Sequence, residues 1–259
     1  MKAVILAGGR GSRLGPETES KPKPLVEVGG KPIIWHIMQI YNHYGINSFV
    51  VLLGYKGWMI KEYFANYQLR SKDCVVAPDG SVHYLQPNDF PGAAITFLDT
   101  GEDSNTAHRV LYAKSFINEK SFALTYGDGV SDVDILKMLM THKENLMKPK
   151  LTLTAVKAGN RFGVLDINQN TGEINKFVEK PERDDSWING GFMICDYSVF
   201  DYIEAEKNMP LEDVIHGLVR DRAAFAHKHE GFWGCMDTPR DRENLEKLWA
   251  SGAPWKVWK

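Results

Sequence analysis

The opening stretch, Met1 to Leu25, constrains the chain more than any other. An apolar run, Ala3-Val4-Ile5-Leu6-Ala7, stops at Gly8-Gly9-Arg10-Gly11-Ser12-Arg13-Leu14, and a basic stretch punctuated by proline follows, Lys21-Pro22-Lys23-Pro24-Leu25. A short, nearly continuous apolar run closed by glycine reads as a strand buried on both faces, which is how strands of a parallel sheet read. Glycines after such a strand let backbone N–H groups close on a phosphate, because no Cβ blocks the approach and positive φ is accessible. Two common phosphate motifs fail here. The P-loop needs Lys followed by Ser or Thr after its last glycine, where this chain has Ser12-Arg13; the dinucleotide fingerprint needs a third glycine where Leu14 stands. On glycines alone, a plain strand-to-loop turn stays an equal alternative. Arg13, Lys21 and Lys23 favour a polyphosphate, and Lys23 is flanked by prolines that hold φ near about −65°, so its backbone is pre-set.

The next elements extend a parallel frame. Pro32 opens a helical pattern with Ile33, Ile34, Ile37, Met38, Ile40 and Tyr41 on one face and Gly45 past its end. Ser48–Leu53 reads as a second buried strand and 57–67 as a second helix. Strand–helix alternation of this kind implies a parallel sheet covered on both faces. Residues 68–93 break the rhythm. Two short apolar runs flank Pro78-Asp79-Gly80, which predicts a hairpin inserted into the frame. Strands at 94–98 and 122–126 and helices at 105–116 and 133–146 resume it. After Lys148-Pro149-Lys150 the pattern turns antiparallel, with strands at 151–156, 162–168, 174–178, 188–194 and 224–227 and helices at 199–205, 211–220 and 241–250. The expected fold is α/β, a Rossmann-like mixed sheet with helices on both faces. The 259 residues are read as one domain, with a first half (1–148), a second half (149–238) and a C-terminal helix and tail (239–259).

Composition excludes several classes. A net charge of −2 argues against bulk nucleic-acid binding, so cations for an anionic ligand must be local. Three scattered cysteines form no CxxC pair and suggest no disulfide framework. The N-terminal apolar run is too short and too soon followed by glycine for a signal peptide, and no stretch reaches the length of a membrane span. The expectation is a cytoplasmic protein with no membrane partner. His227 and His229 share a strand face, but no third ligand is spaced nearby. Trp233, Trp249, Trp255 and Trp258 suggest packing or a subunit contact, hence a homo-oligomer.

Two stretches, MKAVILAGGRGSRL (1–14) and KPKPLVEVGGKP (21–32), resemble the signature of the sugar-1-phosphate nucleotidyltransferases. Further stretches narrow the resemblance to the glucose-1-phosphate cytidylyltransferases: GYKG (54–57), DTG (99–101), YGDG (126–129), RFG (161–163), EKP (179–181), INGGF (188–192), MDT (236–238) and the tail APWKVW (253–258). Departures are Ser12 in place of the usual threonine, Thr106-Ala107-His108-Arg109 where those relatives have TGGR, and the 68–93 hairpin. They bear on the substrate pair rather than the reaction class.

The resemblance implies transfer of a cytidylyl group from CTP to glucose 1-phosphate, giving CDP-glucose and pyrophosphate, with Mg²⁺ as cofactor. The product would feed deoxysugar synthesis for surface polysaccharide. UTP, dTTP or another sugar phosphate is the alternative within the class; a catalytically inactive sugar-nucleotide-binding module is the alternative outside it. An NAD-dependent oxidoreductase is opposed by Leu14. The attacking phosphate is already an anion, so no general base is required, and catalysis reduces to positioning and charge neutralisation. The implied catalytic residues are Arg13, Lys23 and Asp128. Residues 1–148 would be the nucleotide-binding half, with nucleotide on Leu6, Ala7, Gly8, Gly9, Gly11, Ser12, Arg13, Lys23, Ser104, Thr106, Arg109 and Gly127. Residues 149–238 would be the sugar-binding half, with sugar phosphate on Gly163, Glu179, Lys180, Asn189 and Gly190, and metal would lie on Asp128 and Asp237. Taken singly, Asp128 is also a plain Asp-Gly turn, Asp237 a helix-capping acid, and Ser104 or Thr106 an N-cap. The partners would be CTP and glucose 1-phosphate, and the assembly a trimer or hexamer.

Overall fold

The structure is a computed structural model that describes residues 1–90, 92–157, 164–168, 170–178 and 187–258. Strand β1 (Ala3–Ala7) leads through the glycine loop to a short helix α1 (Pro16–Ser20). Two-residue strands β2 (Glu27–Val28) and β3 (Lys31–Pro32) pair and turn the chain into α2 (Ile33–His43). Pro32 serves as the residue before the helix, where its missing N–H costs nothing. Strand β4 (Ser48–Leu53) follows, then α3 (Gly57–Ala65) and α4 (Tyr67–Ser71), which replace the single helix expected over 57–67. The predicted hairpin is present as β5 (Cys74–Val76) and β6 (Val82–Tyr84), a two-stranded sheet apart from the main one. Strand β7 (Ala94–Asp99) re-enters the main sheet, and α5 (Thr106–Tyr112) ends sooner than the pattern suggested, in a 3₁₀ turn at 114–116. Then come β8 (Ser121–Tyr126), β9 (Gly129–Ser131) and α6 (Ile135–Glu144).

The second half adds β10 (Leu151–Lys157), β11 (Val164–Ile167), β12 (Ile174–Val178) and β13 (Trp187–Asp196). The helix expected at 199–205 is a 3₁₀ segment at 197–202, set by Asp196, whose side chain caps it from outside. The chain closes with α7 (Leu211–Arg220), β14 (Ala224–His229), β15 (Trp233–Cys235) and α8 (Pro239–Ala250).

The main sheet runs β12-β11-β13-β8-β1-β4-β7, with β10 and β14 joined through β13. Strands β7, β4, β1 and β8 are parallel, and β13 pairs antiparallel to β8, so the second half continues the same sheet. Along β1, Ala3, Ile5 and Ala7 pack into one core with α2, whereas Val4 and Leu6 face a second core with α5 and α7. That two-sided burial is why the run is continuously apolar rather than alternating. From β1 the chain winds outward to β4 and β7, then returns to the other side of β1 as β8. The reversal opens a crevice at the C-terminal ends of β1 and β8, where open α/β sheets take ligands.

Candidate active site

Both sides of that crevice are built by sequence-local devices. The loop after β1 folds back through Gly11, whose φ of 65° places it in the left-handed region. A Cβ there would also meet Lys23 Cβ at 2.8 Å, so glycine lets the basic segment cross the loop. Gly8 is small for another reason: its Cβ would lie 2.4 Å from the Arg109 guanidinium. Gly8 and Gly9 do not take positive φ, contrary to the expectation for phosphate-wrapping glycines, but nothing lies within 4 Å of a Cβ at Gly9, so its backbone is open to a ligand. Across the crevice, Gly127 passes so close to β1 that a Cβ would meet Leu6 O at 2.6 Å.

Asp128 and Asp237 meet because β9 and β15 pair antiparallel, Gly129 opposite Cys235, and because the Met236 N–H donates to Asp128 O at 2.9 Å. The capping role that Asp237 alone could have taken belongs to its neighbours: Thr238 caps α8 and Asp241 completes a reciprocal capping box. Asp237 is thereby free to turn inward. The Lys23 ammonium bridges the two carboxylates, 2.6 Å from Asp128 Oδ2 and 2.5 Å from Asp237 Oδ1. Burial pushes the Lys23 pKa down, but the charges and hydrogen bonds of Asp128 and Asp237 outweigh it and hold the group above its ordinary value. Arg13 pairs with Asp237 Oδ2 at 3.0 Å while most of its side chain stays in solvent. Two cations therefore converge on one carboxylate pair beneath the glycine loop.

Leu6, Ala7, Gly8, Gly9, Gly11, Ser12, Arg13, Lys23, Ser104, Thr106, Arg109 and Gly127 all line one open cleft of about 480 Å³, together with Asp128 and Asp237. A larger cavity of about 800 Å³ lies around Glu119, Lys143 and Asp196 and contains none of these groups. The strand-end cleft is the better candidate because it joins cations, carboxylates and exposed backbone at the sheet's reversal point. Within it Arg109 is 4% exposed and its donors are taken by Leu53 O, Thr100 Oγ1, Gly101 O and Glu102 O at 2.6–3.1 Å. Arg109 thus ties the β7–α5 loop to the C-terminal end of β4, with its guanidinium packed against Gly8. Thr106 accepts a hydrogen bond from Leu211 N at 2.7 Å and Ser104 donates to Thr100 O; neither caps α5, whose N-cap position is Asn105.

Asn189 and Gly190 line an adjoining pocket of about 240 Å³ that shares Arg13, Tyr126, Asp128 and Asp237 with the cleft. Gly163, Glu179 and Lys180 lie outside the described residues. Tyr126, Glu212 and Trp233 also line this pocket and were not singled out from the sequence as ligand contacts. Trp233 packs against the first core, as expected, and also donates to Gly190 O at 2.6 Å, which braces the pocket wall. The other three pack as well: Trp249, Trp255 and Trp258 surround the buried His36 ring. His229 pairs with Asp132 at 2.8 Å, and no cluster of three or more metal-ligating side chains occurs among the described residues.

An open cleft at the reversal point of a mixed α/β sheet, lined by cations and paired carboxylates, suits a nucleotide-handling protein of the open-sheet class. A family model described as nucleotidyl transferase matches residues 2–245, and the chain belongs to that family. It is similar over its whole length to the glucose-1-phosphate cytidylyltransferase of Salmonella typhimurium, 44% identical, covering all of both chains. It is 40% identical, again over both full chains, to a Bacillus subtilis protein named "probable glucose-1-phosphate cytidylyltransferase". The fold matches a UDP-glucose pyrophosphorylase solved with UDP-glucose, with a TM-score of 0.75, 16% identity, and 96% and 98% of the two chains covered.

Proposed function

We propose that the protein joins CTP and α-D-glucose 1-phosphate to give CDP-glucose and pyrophosphate. The observation that carries the reaction type is the Lys23 bridge between Asp128 and Asp237 under an open glycine loop. The full-length similarity to glucose-1-phosphate cytidylyltransferases supports the choice of base and sugar.

In this reading the triphosphate lies along the backbone of Gly8 to Ser12. A phosphate oxygen of the sugar attacks the α-phosphorus; the bond to the α,β-bridging oxygen breaks, and its electron pair leaves with pyrophosphate. Lys23 neutralises the α-phosphate and Arg13 the leaving pyrophosphate. Each removed cation costs about 2–4 kcal/mol of transition-state stabilisation, the range seen when one oxyanion donor is lost. Asp128 and Asp237 suit a hard divalent cation such as Mg²⁺, because two carboxylates already converge on one positive centre and substrate phosphates complete such a shell. When bound, that ion supplies charge neutralisation between the two substrates. Asn189 and Gly190 would face the sugar, joined by Gly163, Glu179 and Lys180. Arg109, Ser104 and Thr106 would shape the nucleotide side, Arg109 acting through the loops it holds.

The reading extends to a homo-oligomer, a trimer or hexamer, for which exposed Val75, Val76 and Leu85 on the β5–β6 hairpin provide a physical motive. It also places the enzyme in the cytoplasm, supplying deoxysugar synthesis for surface polysaccharide; no helix among the described residues is long and apolar enough to cross a membrane. The deciding experiment measures pyrophosphate release from a panel of triphosphates and sugar 1-phosphates with Mg²⁺. CTP with glucose 1-phosphate is expected to give the highest kcat/KM. If CTP performs no better than UTP or dTTP, the cytidylyl assignment falls.

A further inference from the structure

The side pocket holds a charged group that the reaction as described does not use. Glu212 stands in the first turn of α7, far in sequence from every motif above, and its side chain lines the 240 Å³ pocket beside Asn189 and Gly190. The pocket's other two carboxylates have cations: Asp128 pairs with Lys23, and Asp237 with Lys23 and Arg13. Among the described residues no cation pairs with Glu212. Its hydrogen bond is from the Tyr126 hydroxyl to Oε1, at a long 3.3 Å.

An acidic residue in a helix's first turn is favourable on its own, because it faces the positive end of the helix dipole. That accounts for Asp213 beside it equally well and does not require a side chain directed into a pocket. The surroundings of Tyr126 point further. Gly191 has a φ of 81°, and a Cβ there would meet the Tyr126 ring at 3.1 Å. The glycine therefore makes room for the ring that carries its hydroxyl to Glu212. Trp233, also in the lining, holds Gly190 through its bond to Gly190 O. A pocket this size, with aromatic side chains in its lining and one carboxylate that no cation pairs among the described residues, matches a single polyhydroxylated ring. Hydroxyl donors on such a ring make short, charge-assisted bonds to a carboxylate. A second phosphate would be repelled there.

We propose that Glu212 is a specificity-determining residue: its carboxylate accepts a hydrogen bond from a ring hydroxyl of the hexose, and Tyr126 positions it. The inference rests on the reading of the enzyme as a sugar-1-phosphate nucleotidyltransferase. It adds that the hexose is selected by an anionic acceptor carried on α7, outside the strand-end motifs.

The test is a protein–ligand double-mutant cycle. Wild-type enzyme, Glu212→Gln and Glu212→Ala are assayed with glucose 1-phosphate and with its 2-, 3-, 4- and 6-deoxy analogues under CTP saturation. For wild type, one analogue is expected to lose about 10- to 100-fold in kcat/KM. In Glu212→Ala that loss shrinks to within threefold, while discrimination at the other positions and the KM for CTP are unchanged. Glu212→Gln falls between them. Equal losses for every analogue in the variants would reduce Glu212 to a structural role and overturn the proposal. So would variants that discriminate like wild type. If wild type itself turns over no sugar 1-phosphate, it is the underlying functional reading that fails.

Discussion

Replacing Lys23 with methionine tests whether the two site carboxylates are held together by charge. Methionine keeps the length and apolar stem of lysine and removes only the ammonium. Asp128 Oδ2 and Asp237 Oδ1 both lie on one nitrogen, so they are at most about 5 Å apart. At an effective dielectric of about 20, two like charges at that distance repel by about 3 kcal/mol. Asp128 is partly exposed, which reduces the figure, and about 2–3 kcal/mol of destabilisation is expected. For a chain of this size that lowers Tm by about 4–10 °C. A divalent cation should restore part of the loss, since it no longer competes with an ammonium for the pair. With a dissociation constant of about 1 mM, about 10 mM Mg²⁺ returns about 1.4 kcal/mol. Wild type, melted in parallel without nucleotide, should respond less. In steady-state assays Lys23→Met should lose about 30- to 1,000-fold in kcat/KM. A variant that melts like wild type and ignores Mg²⁺ would refute the reasoning, because the carboxylates would then not share one positive centre.

Two further outcomes follow from buried groups outside the chemistry. Arg109→Met removes the donor to Thr100 Oγ1, Gly101 O and Glu102 O, while Leu53 O keeps the Thr100 N–H and hydroxyl, and should destabilise by about 2 kcal/mol in urea unfolding; a loss under about 0.5 kcal/mol would contradict the clamp. His36 is buried, its Nε2 bonded to Val28 O at 2.8 Å and its Nδ1 facing the Trp255 indole N–H at 3.4 Å. Burial lowers its pKa from 6.5 to about 4. The unfolded chain takes up a proton below pH 6.5 that the folded protein refuses until about pH 4, so stability falls through that window and not above it. The loss from His36 is about 1.4 kcal/mol per pH unit and about 3 kcal/mol in all. His142, likewise buried with a pKa near 4, adds a similar slope. Urea unfolding between pH 7.5 and 4.5 should show a shallower slope for His36→Gln than for wild type; equal slopes would remove His36 from the account.

The parts of the site legible in the sequence are those made by local chemistry. Gly11 between an apolar run and a basic segment, and Lys23 between prolines, announce a loop and a pre-set cation whatever surrounds them. The β5–β6 hairpin was readable from Pro78-Asp79-Gly80, and Gly80 does take the positive φ that turn requires. Helix ends were less legible. The segments at 105–116 and 199–205 kept a helical pattern, but tightened into 3₁₀ turns where they dock on neighbouring elements. Gly8 illustrates a reading right in residue and different in reason. The sequence suggests backbone freedom, whereas the fold uses the missing Cβ to seat Arg109. Glu212 and Trp233 carried no local signal, because an acidic first turn and a late tryptophan each have an ordinary structural explanation.

By itself the sequence determined the buried parallel strands, the glycine loop, the cation at Lys23 and the two candidate acidic residues. The strands, the loop and the cation follow from periodicity, proline and glycine within a few neighbouring positions; the two acidic residues were picked out by the family resemblance. Only the tertiary structure decided that Asp128 and Asp237 share one lysine, that Arg109 points at protein carbonyls, and that Glu212 enters the side pocket. These depend on β9 pairing with β15 and on α7 packing against α5, β12 and β14, contacts between residues far apart in the chain. Such contacts are set by how whole layers bury their apolar faces, and no short stretch of sequence carries that information.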